Sequence, residues 1–470
     1  MMALPRVADG STRRDGAQDN RSGSMRLARR VAAVLLASVL ALTVTSCAGA
    51  TRSAPSLDPN KKVRVTVWAW DSTIERAAQR FNKANPNVSV TVTNADTTTD
   101  QYQALNRALQ TGKGVPDAAQ IEYYALPEFA SRDAVKDLSD YGAKGYKDFY
   151  TPGTWNSVNL DNKVYALPLD SGPMALFYNK EVFDAAGVDR APATWEEYYQ
   201  AARKIRAIGK YITSDAGDPG FFDSMVWQAG GQPFSTHRKK VAINLTDDAG
   251  TQRWTAYWQR MIDEDLIDTR TVEWSNDWDR GLSDGTIASV LAGGWLPHSL
   301  LSDVPQGAGR FRVAQTPTWE PGGTQNSENG GSTLSIMRTT SDEKAAAAYK
   351  FMDYATHDSE GIRGRVLDGA FPADNDTLGS AEFLDQTTLT TPDGGVSEYF
   401  GGQKFNQVLS QAARNVLPNH QFLPYEIHAR SAFGSTAGAA FRRETTLVNG
   451  VRSWQDELIA YAKQQGYQVS

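Results

Sequence analysis

The sequence predicts an α/β protein built as two lobes. Three observations carry that reading. Strand and helix periodicities alternate from residue 63 to residue 121, the mark of a mainly parallel sheet. The alternation resumes with new material after a polar bend at Asp170, Ser171, Gly172 and Pro173. And the folded part exceeds 400 of the 470 residues, more than one hydrophobic core usually organises.

Taken in order, Val63, Val65 and Val67 alternate with Arg64, Thr66 and Trp68 as a first strand. Ser72 or Thr73 caps a helix whose Ile74, Ala77, Ala78 and Phe81 share one face, ending near Pro86. Val88, Val90 and Val92 form the next strand, Tyr102, Leu105 and Leu109 mark the next helix, and Ala118 to Ile121 a third strand. The stretch Lys163 to Lys180 holds two apolar runs around the polar bend, which suits a strand end, a crossing between lobes or an ordinary turn. Thr194 with Glu197 forms a capping-box signature, and Trp254, Trp258, Met261 and Ile262 share a helical face. Ile287 to Leu291 reads as a buried strand, followed by the Gly and Pro-rich loop Pro317 to Gly331. Strand Ser332 to Met337, a helix around Glu343 to Tyr354, and a terminal helix bearing Trp454, Leu458 and Tyr461 close the chain.

Ahead of the folded body, Arg26, Arg29 and Arg30 precede a small and apolar run from Val31 to Val44, then Thr45, Ser46 and Cys47. This is the pattern of a signal peptide, with Met25 a candidate start, and Val44 to Cys47 resembles a bacterial lipobox in which Cys47 is lipidated. The run is shorter than the roughly 20 residues of a membrane-spanning helix. Cys47 is the single cysteine, so the body has no disulfide of its own. The net charge is −6; residues 1–46 hold seven basic and three acidic residues, leaving 41 basic and 51 acidic and a charge of −10 for the remainder. An acidic body argues against nucleic acid as a partner.

Twelve tryptophans are present, and several stand at strand ends or loop starts beside carboxylates and amides: Trp70 with Asp71, Glu122 with Tyr123, Trp274 with Asn276 and Asp277, and Asp170 with Ser171. A sugar offers apolar C–H faces rimmed by hydroxyls, so flat rings beside polar groups suit it. Trp195, Trp254, Trp258 and Trp454 lie on apolar helical faces and read as core, Trp68 as core or site, and Asp71 as a helix cap or a ligand contact at a strand end. The five histidines lack metal-ligand spacing, and no nucleophile elbow, Walker loop or dinucleotide-binding turn occurs, so no catalytic residue, metal or cofactor is assigned.

In order and spacing, VTVWAWD (Val65 to Asp71), FNKANPNVSV (Phe81 to Val90), PDAAQIEYYALPEF (Pro116 to Phe129), LPLDSGPMALFYNKEVFDAAGV (Leu167 to Val188), APATWEEY (Ala191 to Tyr198), WQAGGQPF (Trp227 to Phe234), GGW (Gly293 to Trp295) and GGS (Gly330 to Ser332) are together similar to the maltose-binding-protein-like group of bacterial extracellular solute-binding proteins, the carbohydrate receptors of ABC importers. The resemblance implies a two-lobe periplasmic-binding-protein fold (type II-like), each lobe a mainly parallel sheet flanked by helices, with crossing segments as a hinge. With residues 1–46 read as extension and lipoprotein signal peptide and 47–60 as lipidated cysteine and tether, it implies 61–169 as the first lobe, 170–294 as the second, 295–331 as a return to the first, and 332–470 as a return to the second with the C-terminal helices. Carried over by position, Asp71, Glu122 and Tyr123 match first-lobe ligand contacts, Asp170 and Ser171 the hinge contact, Phe221, Phe222 and Trp227 a second-lobe aromatic wall, Trp295 a stacking platform just after the second crossing, and Tyr425 a late aromatic contact; Trp70 and Trp274 are candidate contacts from their place beside carboxylates and amides. Asn329, before Gly330, replaces the Trp that relatives often carry there. The expected ligand is an oligosaccharide and the expected partners are the transmembrane permease subunits of an ABC importer. The expected state is a monomer anchored by Cys47 on the outer face of the cytoplasmic membrane. A secreted glycoside-active enzyme and a sugar-sensing receptor without transport stay open as alternatives.

Overall fold

The computed structural model describes residues 57–58, 60–95, 98–391 and 394–470, all within one compact unit, Ala54–Ser470. The expected signal segment and Cys47 lie outside the described residues. Among the described residues no helix is long and apolar enough to cross a membrane.

Strand β1 (Val63–Trp68) buries its valines and turns Arg64 and Thr66 outward, the period-2 pattern of the sequence. It pairs in parallel with β2 (Val88–Thr93) and with β3 (Ala118–Glu122). The helix Ser72–Ala84 between β1 and β2 buries Ile74, Ala77, Ala78 and Phe81, the face its spacing predicts. Its cap is Asp71 rather than Ser72 or Thr73: the Asp71 carboxylate accepts the Thr73 N–H at 2.8 Å. A short hairpin of β4 (Asn159–Leu160) and β5 (Lys163–Val164) leads to β6 (Leu167–Pro168). The chain then leaves the first lobe.

Residues 169–174 carry it across, and β7 (Ala175–Asn179) starts the second lobe. Alternate side chains of this segment serve two cores. Met174 and Leu176 pack with Trp195, Trp254, Trp258 and Trp454, while Ala175 and Phe177 pack with Leu296, Phe311 and Tyr399. A second hairpin, β8 (Phe234–His237) and β9 (Lys240–Ile243), lies on the first of these cores through Phe234, Val241 and Ile243. Strands β10 (Ser289–Ala292) and β11 (Phe311–Gln315) flank β7, both antiparallel to it. A parallel sheet was expected here. Strand β7 runs away from the crossing, whereas the chain from β11 goes on to the return crossing, so the two run in opposite directions.

The chain returns at residues 326–331, and β12 (Ser332–Ile336) inserts between β3 and β6, giving the order β2-β1-β3-β12-β6. The helix Asp342–Thr356 then packs on the first-lobe core through Ala345, Ala348, Phe351 and Met352. These pairings correct the expected boundaries. Residues 295–331 stay in the second lobe up to about the second crossing, because β11 bonds to β7. Residues 332 to about 370 belong to the first lobe, because β12 bonds to β3 and β6. The last transfer follows the helix Ser359–Leu367, where Phe371 joins a second-lobe core and Ala373 the first-lobe core.

The first two crossings run antiparallel, side by side. Pro173 bridges Glu328, the Asn329 N–H donates to the Gly172 carbonyl at 2.7 Å, and the Met174 N–H to the Ser327 carbonyl at 3.0 Å. A Cβ at Gly172 would collide with the Asn329 carbonyl, so this close approach requires glycine. Gly172→Ala is expected to cost about 1 to 3 kcal/mol by forcing the two crossings apart. Chemical denaturation checks this; an unchanged midpoint would mean the crossings tolerate separation.

Candidate functional site

The strand ends that face the crossings are tied together by one amide. Gln120, inside β3, accepts the N–H groups of Trp70 and Asp71 at 3.1 and 3.0 Å and donates to the Ser332 hydroxyl at 2.8 Å. The ends of β1, β3 and β12 therefore form one rigid edge. On it, Glu122 meets the Tyr102 hydroxyl, which donates to its carboxylate at 3.2 Å and accepts its backbone N–H at 2.9 Å. The Trp70 ring stands edge-on to Tyr102 at 6.4 Å. Asp170 accepts the Ser332 N–H at 2.5 Å and the Ser332 hydroxyl at 2.9 Å. Burial raises the carboxyls of Asp170 to about 6 and Glu122 to about 7, Asp71 adding to the first effect and the Arg430 cation opposing the second.

The second lobe brings indole rings to the crossing. Trp295 follows β10 at the start of the helix Leu296–Asp303, held by its N–H donating to the Asn329 carbonyl at 2.8 Å. Trp274 rests against Trp295 at 5.3 Å and Trp278 at 4.7 Å, is 50% exposed, and adopts φ +65°. A bulky residue in the left-handed region stores strain, and it holds an apolar ring in solvent here. Gly330, exposed at φ +73°, lies against the Trp295 indole. The Asn329 side chain donates to Ser224 at 3.2 Å, and Ser224 donates to the Glu328 carbonyl at 2.9 Å, docking the helix Pro219–Gln228 on the crossing.

The expected residues thus divide. Trp70, Glu122, Asp170, Trp274, Trp295, Asn329 and Gly330 line the strand edge, the crossing or the indole platform beside it. Trp295 belongs to the second lobe through the β10 connection and does not follow the second crossing, which lies at residues 326–331. Asp71 is the helix cap of its two readings, and its other carboxylate oxygen pairs at 3.0 Å with Arg365, which is buried and also donates to Thr73 and the Leu169 carbonyl. Ser171, expected to touch ligand, is fully buried and donates to Glu328 at 3.0 Å, so it braces the hinge. Tyr123 is framework as well, its hydroxyl donating to the Asp170 carbonyl at 2.7 Å and its ring lying against Gly331.

Phe222, expected in an aromatic wall, is buried against Phe433 and Trp454. Tyr425 is buried against Tyr461 and Tyr467 with its hydroxyl on the Leu458 carbonyl. Phe222 is core because its helix turns that face inward, whereas Tyr425, just before the helix Glu426–Phe433, is buried but lines with Tyr123 the wall of a cavity of about 690 Å³. Trp227 is a buried support, its N–H on the Leu417 carbonyl at 2.9 Å and its ring stacked on His420 at 4.4 Å.

Sequence reasoning missed Gln120, Glu328, Arg365 and Arg430. Gln120 had a signal, a polar residue inside the apolar strand AAQIE. Arg365 had none, since its carboxylate partner is 294 positions away. Arg430, from the second-lobe helix Glu426–Phe433, lies 3.6 Å over the Tyr124 ring of the first lobe and pairs with Asp223 at 3.1 Å. The site therefore offers indole faces, carboxyls, amides and a guanidinium, drawn from both lobes. That set stacks on and hydrogen-bonds to a polyhydroxylated ring.

Residues 69–361 match the family model described as bacterial extracellular solute-binding protein. Among solved structures, the ABC transporter associated binding protein from B. animalis subsp. lactis Bl-04, in complex with β-1,6-galactobiose, is 48% identical; the match covers 87% of this chain and 100% of that one, with a TM-score of 0.80. The galacto-N-biose/lacto-N-biose I-binding protein from Bifidobacterium longum, in complex with lacto-N-biose, is 23% identical over 88% of this chain and 100% of its own, a likeness of fold with a TM-score of 0.74. The lactose-binding protein of Rhizobium radiobacter is 26% identical over 347 residues, 70% of this chain and 76% of its own.

Two outcomes are expected from the polar framework. Asp71→Ala leaves Arg365 without its carboxylate and the helix without its cap, at a cost of about 3 kcal/mol in urea denaturation; an unchanged midpoint would show the pair to be dispensable. Burial holds the Glu328 carboxyl at about 7 against an ordinary 4.5. The folded state thus binds this proton more tightly than the unfolded chain, so its contribution is full below about 4.5 and lost as pH rises through about 7. Glu328→Gln should therefore flatten part of the fall in melting temperature across that range, and a slope equal to wild type would contradict the burial.

Proposed function

Because this chain belongs to the bacterial extracellular solute-binding protein family, we propose that it binds a galactosyl oligosaccharide between its lobes and hands it to the permease of an ABC importer. The observation that carries the reading is the strained, half-exposed Trp274 beside Trp295, whose indole is bonded to Asn329 on the second crossing, next to the first crossing that carries Asp170. The 48% identical protein holds β-1,6-galactobiose, which makes that disaccharide the first ligand to try.

In this reading the indoles stack on the apolar faces of the sugar, and Glu122, Asp170 and Asn329 bond its hydroxyls. Ligand contacts on both lobes favour the closed arrangement, since only contacts that differ between states shift the equilibrium. The carboxyls recognise the sugar without turning it over. Asp170 is held by Ser332 as a fixed acceptor, while Asp71, engaged by Arg365 and Thr73, is framework. Lipidation at Cys47 would keep the receptor beside its permease.

β-1,6-Galactobiose is expected to raise the melting temperature of the wild-type protein, because a ligand bound only by the folded state stabilises it. Trp274→Ala should weaken the sugar about tenfold, equivalent to about 1.4 kcal/mol, and leave the unliganded melting temperature within error. Calorimetric titration checks both. No heat with any galactosyl or glucosyl oligosaccharide would overturn the carbohydrate reading.

A further inference from the structure

Trp274 stands on residues 268–275, a segment that begins alongside residues 213–218 of the same lobe. The Asp268 N–H donates to the Thr213 carbonyl and the Asp215 N–H to the Asp268 carbonyl, both at 3.0 Å. Further along, side chains alternate. Val272 and Trp274 stand exposed, whereas Glu273 between them folds inward and accepts the Ala216 N–H at 3.2 Å.

The next two amides of that turn, Gly217 and Asp218, donate to the Asp215 carboxylate at 2.8 and 3.2 Å. The Trp258 indole N–H reaches its other oxygen at 2.7 Å. Three consecutive N–H groups thus hold two carboxyls in one turn, and Asp218, the cap of the helix Pro219–Gln228, brings a third. Among the described residues none of the three is in an ion pair, because the surrounding cations are committed elsewhere. Arg270 pairs with Asp268 at 3.3 Å, Arg430, beside Gly220, with Asp223 at 3.1 Å, and Arg280 with Asp277 at 2.8 Å. Phe441, against Gly217, adds an apolar side.

Like charges gathered without a counter-ion share a proton rather than all ionise. Asp215 is answered by three donors and Glu273 by one N–H of the turn, so the proton belongs on Glu273. Burial raises both carboxyls, Asp215 to about 7 and Glu273, with the Asp215 charge adding, to about 8. An ionised Glu273 is repelled from this turn, and Trp274, the next residue, moves with it. The φ of +65° at Trp274 works in the same direction, since strain at a bulky residue persists only while its surroundings enforce it.

We infer that Glu273 is a positioning residue for the sugar platform: protonated and seated on the turn at residues 215–218, it holds Trp274 against Trp295, and its ionisation releases the ring. The inference rests on the cleft reading, in which Trp274 carries a sugar face. It makes binding pH-dependent. The docked form holds the Glu273 proton more tightly than the released form, so the platform is complete below about 8 and lost as pH rises through that value. A site competent only when docked loses apparent affinity in proportion to the docked fraction, about tenfold at one pH unit above it.

Two measurements test this. In the unliganded protein, the tryptophan fluorescence of wild type minus that of Trp274→Phe is followed from about pH 6.5 to about pH 9.5, a span that brackets the Glu273 value of about 8. A transition near 8 is expected, and Glu273→Gln, uncharged at every pH, should abolish it. In calorimetric titration with β-1,6-galactobiose, the wild-type Kd should rise about tenfold between about pH 7 and about pH 9. Glu273→Ala should weaken the sugar about tenfold at the lower pH, and Glu273→Gln should restore the affinity and hold it across the range. Absence of the Trp274 transition, or one that survives Glu273→Gln, overturns the proposal. So does a wild-type affinity that stays level, or one that falls equally in Glu273→Gln. If Glu273→Gln does not fold, the wild-type difference profile decides: a transition supports the proposal and a flat profile overturns it. A clear transition in a protein that binds no sugar at any pH would sink the cleft reading and leave the positioning role standing.

Discussion

The two crossings at residues 169–174 and 326–331 are the constraint on which the rest of the molecule depends. They lie side by side because Gly172 lets the backbones touch, and the Glu328 carboxyl is buried between them on the Ser171 hydroxyl. A buried carboxyl with so few partners favours its protonated form. The hinge is thus polar and narrow, with a large apolar core on either side, so it is the place where the lobes move with least loss of packing. Residues at its surface, Asp170 on one strand and Asn329 with Gly330 on the other, are placed where a ligand touches both halves.

Two further ties make the first-lobe edge rigid. Gln120 joins three strand ends, and Arg365 joins the Asp71 cap to the Leu169 carbonyl at the start of the crossing. Removing a partner from such a group leaves a buried donor or charge unanswered, so these residues act as framework rather than as ligand contacts. The second lobe is different in kind. Its facing surface is aromatic and partly exposed, with Trp274 strained and Trp295 held by one hydrogen bond. A rigid polar edge opposite an aromatic platform divides the recognition of a sugar, hydroxyls to one side and ring faces to the other.

Local periodicity made much of this legible. The valines of β1 and β2, the Asp71 strand end, the Thr194 cap, which accepts the Glu197 N–H at 3.2 Å, and the buried faces of Trp195, Trp254, Trp258 and Trp454 all follow from spacing. The polar bend at Asp170 to Pro173 proved to be the first crossing, because β6 and β7 belong to different sheets. What failed was whatever depends on pairing at a distance. Strand β12, Ser332–Ile336, is buried throughout although three of its five residues are polar, and nothing local in it says which sheet it enters, and so residues 295 to about 325 and 332 to about 370 were assigned to the wrong lobes. Phe222 was misplaced for a related reason: resemblance located its helix, and only packing decides which face turns inward. Arg365 and Glu328 carried no local signal, their partners lying 294 and 157 positions away.

The central claim is that the sugar lies between the indole platform and the strand edge, at the crossings. A crystal structure of the complex with β-1,6-galactobiose tests it most directly. The account predicts a sugar ring on Trp274 or Trp295 with hydroxyls on Asp170, Glu122 or Asn329. A sugar bound with contacts to one lobe only, or nowhere near Gly172 and Gly330, would contradict it.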